Sequence, residues 1–158
     1  MNYNIREMRI TEYALLVDFL YEAIFQRDET NLVPKSIIER PELQVYIQNF
    51  GDKKDDYCLC TEVEDKMIGA VWVRNIQGYG NIDSVTPEFA ISLYKKYRGH
   101  GIGTKMMKKM LDYLKHSGYS KTSLAVQKDN YAVKMYLNVG FQIVNENEEE
   151  YIMVHYLQ

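Results

Sequence analysis

The sequence predicts one mixed α/β domain over residues 1–158, with a central mixed β-sheet flanked by about four helices. Three observations lead to this prediction. The chain is 46% hydrophobic and 26% charged, and its 158 residues are the length of one ordinary globular domain. The hydrophobic spacing switches several times between the helical period and the strand period. No repeat, low-complexity tract or linker divides the chain.

The first 51 residues predict one strand and two helices. Residues 3–10 are expected to form a short strand, and Thr11 is a suitable N-cap for the helix that follows. Apolar residues then recur at the helical period, at positions 16, 19, 20, 23 and 24. The second helix is predicted to begin at Pro41, to place positions 43, 46, 47 and 50 on its apolar face, and to end at Gly51.

The middle of the chain has the period of strands. The charged residues 52–56 are expected to form a solvated loop, and residues 57–63 and 67–74 a hairpin around residues 64–66. A turn-rich stretch with Gly78 and Gly80 follows. Residues 89–94 are predicted to form the next strand.

The C-terminal part predicts two helices and three strands. Residues 101–117 form the strongest helix, because their apolar side chains share one face and Gly118 follows as a stop. Residues 122–126 are typical of a buried strand, and residues 131–139 of a short helix that ends at Gly140. Residues 141–144 and 151–157 are expected to close the sheet as a hairpin, whose exposed edge could pair two copies as a homodimer.

The charge is distributed unevenly. The whole chain has a formal net charge of −3 and a pI of about 5.6, which argues against a nucleic-acid partner. Residues 94–121, however, contain eight lysines and arginines and one acid, so this segment carries +7 and the remainder −10. Such a local excess of positive charge favours an anionic ligand.

The cysteines and the N-terminus favour a cytoplasmic protein. Cys58 and Cys60 are two apart in a predicted strand, so they point to one face and are poorly placed to bridge each other. No further cysteine or nearby histidine completes a zinc site, and no metal is expected. The first ten residues carry charges where a signal peptide needs an apolar run, and no membrane span is predicted.

A glycine-rich loop, residues 98–104, comes directly before the strongest helix. Gly99, Gly101 and Gly103 allow a tight turn, and the helix start offers unpaired N–H groups and positive charge. The segment therefore predicts a phosphate site. It is neither a P-loop, since GxxxxGK(S/T) is absent, nor a dinucleotide fingerprint, since Thr104 and Met106 stand where GxGxxG needs its third glycine. A generic nucleotide-binding domain is thus disfavoured.

Two motifs resemble those of the GNAT superfamily of N-acetyltransferases. The pyrophosphate loop of that family, R/Q-x-x-G-x-G/A, matches residues 98–103 at every fixed position. A second signature, N-x-A-x-x-x-Y-x-x-x-G-F, matches residues 130–141 throughout. One departure is Lys95, where many members have proline. Because the motifs and the element order agree with the family over nearly the whole chain, the resemblance predicts a GNAT-like domain.

The resemblance implies acetyl-CoA as co-substrate, bound where two parallel strands splay apart. These strands are predicted at residues 89–94 and 122–126. The backbone near Leu93 would pair with the pantetheine arm, the glycine loop would hold the pyrophosphate, and Asn130 would approach from the other side. The implied cofactor-binding residues are Ile91, Ser92, Leu93, Arg98, Gly99, His100, Gly101, Ile102, Gly103, Thr104, Asn130, Ala132 and Lys134.

For catalysis, the resemblance implies direct attack of an amine on the thioester. Tyr136 occupies the position where the family often has its general acid, and Glu88 lies near the position of a glutamate that acts as base through water. The simpler alternatives are that Tyr136 only packs against its neighbours and that Glu88 is an ordinary exposed surface glutamate. A non-catalytic module that only binds acyl-CoA is the competing function, and it would not need either residue.

The resemblance implies an acceptor pocket built from the first two helices, the central strands and the closing hairpin. The residues assigned to it are Phe19, Glu22, Phe25 and Trp72. Glu22 would suit a cationic amine, and the −10 outside the basic segment also favours a basic substrate. The sequence leaves the acceptor open among polyamines, aminoglycosides and lysine-bearing peptides.

Overall fold

Seven strands and four α-helices follow one another in the predicted order, in a computed structural model that describes residues 1–158. The strands are β1 (Asn4–Glu7), β2 (Tyr57–Val63), β3 (Lys66–Arg74), β4 (Glu88–Leu93), β5 (Lys121–Gln127), β6 (Gln142–Glu146) and β7 (Glu150–Tyr156). The helices are α1 (Leu16–Ala23), α2 (Pro41–Gln44), α3 (Ile102–His116) and α4 (Ala132–Val139). None of these helices combines the length and the apolarity that crossing a membrane requires.

The two N-terminal helices are shorter than predicted. Ile10–Leu15 form a 3₁₀ helix, and α1 continues directly from it. After α2 the backbone mixes i→i−4 bonds with tighter i→i−3 bonds, and Asn49 has a φ of 53°. Ile47 and Phe50 are nevertheless buried, so the predicted apolar spacing is retained without a continuous helix.

All strands form one sheet in the order β1-β2-β3-β4-β5-β7-β6. Neighbours are antiparallel except β4 and β5, which run parallel and are paired at a single position, Glu88 with Ser123. Beyond this pair the two strands diverge, and a gap opens in the middle of the sheet. The edge strand β6 is exposed at all five residues, and pairing of two copies there stays a prediction.

Helices cover both faces of the sheet. On one face, α3 and α4 pack against side chains such as Val71 and Val73, with Met106 and Met110 fully buried. On the other face, α1 and the α2 region cover Ala70 and Trp72. Successive side chains of β3 therefore point to opposite faces of the sheet, as the two-residue period of a strand requires. The gap between β4 and β5 thus lies in a sheet whose two faces are both covered by helices.

Residues 52–54 are exposed, as predicted, but the side chains of Asp55 and Asp56 at the end of this loop are buried. The carboxylate of Asp56 is 3.1 Å from Arg74 Nε, and these two side chains are only 1% and 3% exposed. It also accepts hydrogen bonds from Gly51 N and Lys53 N. Because an unpaired guanidinium at the end of β3 would be costly to bury, the loop folds inward and supplies its counter-ion.

Candidate functional site

The gap between β4 and β5 exposes unpaired backbone groups of β4. Tyr94 N donates to Ile68 O at 3.0 Å, so alternate residues of β4 direct their N–H and C=O groups toward β3. The residues between them, Ile91 and Leu93, direct theirs toward β5, where no strand pairs with them. The Leu93 carbonyl accepts from Arg98 Nε at 2.9 Å. The remaining groups can therefore pair with an extended ligand that enters the gap.

The glycine loop opens the N-terminus of α3 toward this gap. Gly99 and Gly101 both have a φ of 80°, in the left-handed region that glycine adopts most readily. Gly101 is the N-cap and has no side chain to accept a hydrogen bond. The first bond of the helix is Lys105 N to Gly101 O, so the N–H groups of residues 102–104 have no acceptor within the helix. These donors are available to an anion.

Most of the predicted cofactor-binding residues line one cleft of about 720 Å³. They are Ile91, Ser92, Leu93, Arg98, Gly99, Gly101, Gly103, Thr104, Asn130 and Ala132. Three others lie outside it, since His100 and Lys134 are exposed to solvent and the Ile102 side chain is buried in the core. Ile102 can still contribute its N–H group, but side-chain contacts from His100 and Lys134 are not supported.

Arg98 and Asn130 are among the polar side chains of the cleft that already have protein partners. Arg98 Nη2 donates to Glu22 O at 3.3 Å and lies 3.5 Å from Glu22 Oε1, so this guanidinium links the end of α1 to the end of β4. The Oδ1 atom of Asn130 accepts from Ala132 N at 2.9 Å and so satisfies the N–H of the first residue of α4. The amide nitrogen of Asn130 stays free to meet a ligand.

Tyr136 reaches the cleft from the buried face of α4. Its ring packs edge to face on Phe141, with centroids 5.5 Å apart, and the residue is 9% exposed. Burial raises the pKa of its phenol well above the ordinary value, and no hydrogen bond contributes to the shift. The raised pKa makes this phenol a weaker acid, but its hydroxyl has no acceptor within the protein and is free to donate to a ligand in the cleft.

Glu88 is buried, so the alternative that it is an ordinary exposed surface glutamate is wrong. It is 3% exposed, lies outside the cleft, and accepts hydrogen bonds from Gly78 N, Gly80 N and the Tyr46 hydroxyl at 2.7, 2.9 and 3.0 Å. Burial raises the pKa of this carboxyl, and the three hydrogen bonds oppose that rise.

A comparison with family models decides the classification. The model of the acetyltransferase (GNAT) family matches residues 20–141, which contain both the gap and the glycine loop. The chain belongs to the GNAT family. The family and fold that the two sequence motifs predict are thereby confirmed.

Relatives of this GNAT chain are distant in sequence. An uncharacterized N-acetyltransferase of Bacillus subtilis, YobR, is 29% identical over 76 residues, which are 48% of this chain and 28% of that protein. The chain thus matches less than a third of that relative's length. The PaiA N-acetyltransferase of Thermoplasma acidophilum, solved in complex with coenzyme A, superposes with a TM-score of 0.72 at 18% identity, over 99% of both chains. YncA of Salmonella typhimurium, a putative acetyltransferase solved with acetyl-CoA, gives 0.68 at 16% identity, over 99% of this chain and 94% of that one.

Two of the four predicted acceptor residues lie elsewhere in this GNAT fold. Glu22 and Phe25 line the cleft, whereas Phe19 and Trp72 are both 1% exposed. Phe19 packs on the Tyr94 ring, and Trp72 Nε1 donates to Tyr46 O at 3.1 Å. These two assignments are wrong, because side chains enclosed by the core have no surface to offer an acceptor.

Apart from Phe25, sequence reasoning missed the segment that bridges the cleft, residues 24–32, which we call the strap. Ile24, Gln26, Glu29 and Leu32 of the strap line the cleft. The sequence shows only a polar break at residues 26–31. The ion pairs that hold the strap in place join it to residues far away in the chain. No pattern in the neighbouring sequence could have identified these cleft-lining residues.

Proposed function

We propose that the protein transfers an acetyl group from acetyl-CoA to a primary amine of a small molecule or peptide, by direct attack within a ternary complex. The observation that supports this most is the continuity between the β4–β5 gap and the unpaired N–H groups of α3. One end of such a site suits an extended amide-bearing arm, and the other suits a pyrophosphate. The distant neighbours solved with coenzyme A or acetyl-CoA support the same ligand.

Binding of the donor would use the main chain more than the side chains. The N–H and C=O groups of Ile91 and the N–H of Leu93 would pair with the pantetheine arm, and Asn130 would meet it from the opposite wall. The N–H groups of residues 101–104 would hold the pyrophosphate, within a segment whose net charge of +7 complements the roughly four negative charges of coenzyme A.

The transfer itself requires two proton movements. A neutral amine attacks the thioester carbonyl, the new C–N bond forms, and the C–S bond breaks to release a thiolate. Tyr136 would give its phenolic proton to that sulfur, and water at the cleft would take the proton that the amine loses. A gap-facing N–H of β4 that the pantetheine arm leaves free would stabilise the carbonyl oxygen as it gains negative charge.

The test is release of free thiol from acetyl-CoA with a panel of polyamines, aminoglycosides and lysine peptides. We expect at least one amine to give stoichiometric thiol and acetylated product, and Tyr136→Phe to reduce its turnover. Binding of acetyl-CoA without turnover of any amine would contradict the proposal and favour the non-catalytic binding module. The Tyr119→Phe variant, which loses a hydroxyl bonded to Asp55 outside the cleft, is the matched control.

A further inference from the structure

Three consecutive backbone amides turn toward one carboxylate–phenol pair. Gly78 N donates to Glu88 Oε2 at 2.7 Å, and Gly80 N donates to Glu88 Oε1 at 2.9 Å. The amide between them, Tyr79 N, donates to the hydroxyl oxygen of Tyr46 at 2.9 Å, and that hydroxyl donates to Glu88 Oε1. Successive N–H groups that converge in this way form an anion-binding nest, and here the anion is part of the protein.

The segment of residues 78–80 is packed too tightly for any side chain at its two glycines. A Cβ atom on Gly78 would lie 2.5 Å from the Tyr46 hydroxyl oxygen, and one on Gly80 would lie 2.6 Å from the carbonyl carbon of Leu124. The segment is thus confined between Glu88 and Tyr46 on one side and the backbone of β5 on the other.

This segment lies where the two parallel strands part. Leu124, which Gly80 touches, directly follows Ser123, the single residue of β5 that pairs with β4. The start of α3 is at the opposite end of β4. If the pyrophosphate binds at α3, the thioester lies toward the Glu88 end, and the amine has to approach the thioester there. This step rests on the proposed function.

We propose that Glu88 is a positioning residue, whose carboxylate holds residues 78–80 against β5 as one wall of the path by which the amine reaches the thioester. A general base needs a lone pair directed at the proton it removes. The two Glu88 oxygens already accept three hydrogen bonds, and the carboxylate is enclosed outside the cleft. Its geometry therefore favours holding the segment over accepting a proton from substrate.

Tyr46→Phe separates the two roles, because it removes the bridging hydroxyl and leaves the Glu88 carboxylate in place. Glu88→Gln is the second variant, since it replaces one acceptor oxygen by a donor that faces an amide N–H. Tyr119→Phe again is the matched control, because it loses one phenol–carboxylate hydrogen bond that involves neither Glu88 nor residues 78–80. Two readouts are measured for each protein: hydrogen–deuterium exchange of the amides of residues 78–80, and kcat and KM for the best amine.

Both Tyr46→Phe and Glu88→Gln are expected to speed amide exchange at residues 78–80 about tenfold, the effect of one lost buried hydrogen bond. Both should raise KM for the amine by a similar factor of about ten, with kcat changed less than about threefold and the control unchanged. Wild-type exchange and kinetics in Tyr46→Phe, with a kcat loss of about a hundredfold or more in Glu88→Gln, would overturn the proposal and make Glu88 the base. Absence of turnover in the wild-type protein would contradict the acetyltransferase proposal instead, and the exchange data would still decide whether Glu88 holds the segment.

Discussion

The side chains of Arg27 and Asp129 form a bidentate ion pair, with N–O distances of 2.5 and 2.7 Å. Arg27 belongs to the strap after α1, and Asp129 follows β5. A second pair, Glu29 with Lys95 at 2.6 Å, joins the strap to the chain just after β4. The strap is therefore tied to both strands that border the gap, although all four side chains are more than half exposed.

Arg27→Ala should loosen the strap without destabilising the fold. Exposed ion pairs contribute little, so we expect the free energy of unfolding in urea to change by less than about 1 kcal/mol. Acetyl-CoA should dissociate about threefold faster, as measured by stopped-flow fluorescence, because one of the two ties across its binding cleft is lost. Arg40→Ala, which removes an exposed arginine outside the cleft, is the control, and equal dissociation rates in the two variants would contradict a role for the strap.

Arg98→Lys should weaken both the fold and donor binding. A lysine keeps the charge but cannot reach Leu93 O and Glu22 O together, so the variant loses about 1–2 kcal/mol of unfolding free energy. Affinity for acetyl-CoA, measured by titration calorimetry, should fall because the glycine loop loses its anchor to β4. The control is Lys96→Ala, which removes a whole charge from the same segment. If this variant lost more affinity for acetyl-CoA than Arg98→Lys, charge alone would account for binding, and the anchoring role of Arg98 would be contradicted.

The Tyr136→Phe variant distinguishes a role of the hydroxyl in the chemical step from a role in binding acetyl-CoA. The hydroxyl has no protein partner, so its removal should leave the thermal midpoint and the affinity for acetyl-CoA nearly unchanged. Turnover should fall by about a hundredfold or more, the usual contribution of a general acid. Turnover near the wild-type rate would assign Tyr136 to packing against Phe141 instead.

Local sequence was enough where a conformation depends on neighbouring residues. The glycines of residues 98–103 predict a tight turn before a helix, and the structure has this turn, with Gly99 and Gly101 in the left-handed region. Features set by distant partners were not predicted. The burial of Asp56 depends on Arg74, 18 residues away, and the environment of Glu88 depends on Tyr46, 42 residues away. The residue type of Phe19 and Trp72 likewise could not show whether each faces the core or the cleft.

The acid stability of the fold should depend on Glu12. Hydrogen bonds from the Arg6 guanidinium lower the pKa of this carboxyl from 4.5 to about 2. A lowered carboxyl pKa stabilises the fold above the unfolded value, and that contribution is lost as the pH falls from 4.5 toward 2. Because both side chains are about one-fifth exposed, we expect Glu12→Gln to lose only about 1 kcal/mol at pH 7.

Urea unfolding of both proteins from pH 7 to pH 2 measures this dependence. The difference between wild type and Glu12→Gln should close as the pH approaches 2. A difference that stays constant over that range would contradict the assigned ion pair with Arg6.

The central claim, that the β4–β5 gap and the start of α3 form an acetyl-CoA site, is tested most directly by the thermal midpoint with about 1 mM acetyl-CoA or ATP. Binding with a Kd of tens of micromolar would raise the midpoint by about 5 °C. We expect that rise with acetyl-CoA and a clearly smaller one with ATP, which lacks the pantetheine arm that the gap would pair with. An unchanged midpoint with acetyl-CoA, or an equal rise with both ligands, would contradict the account.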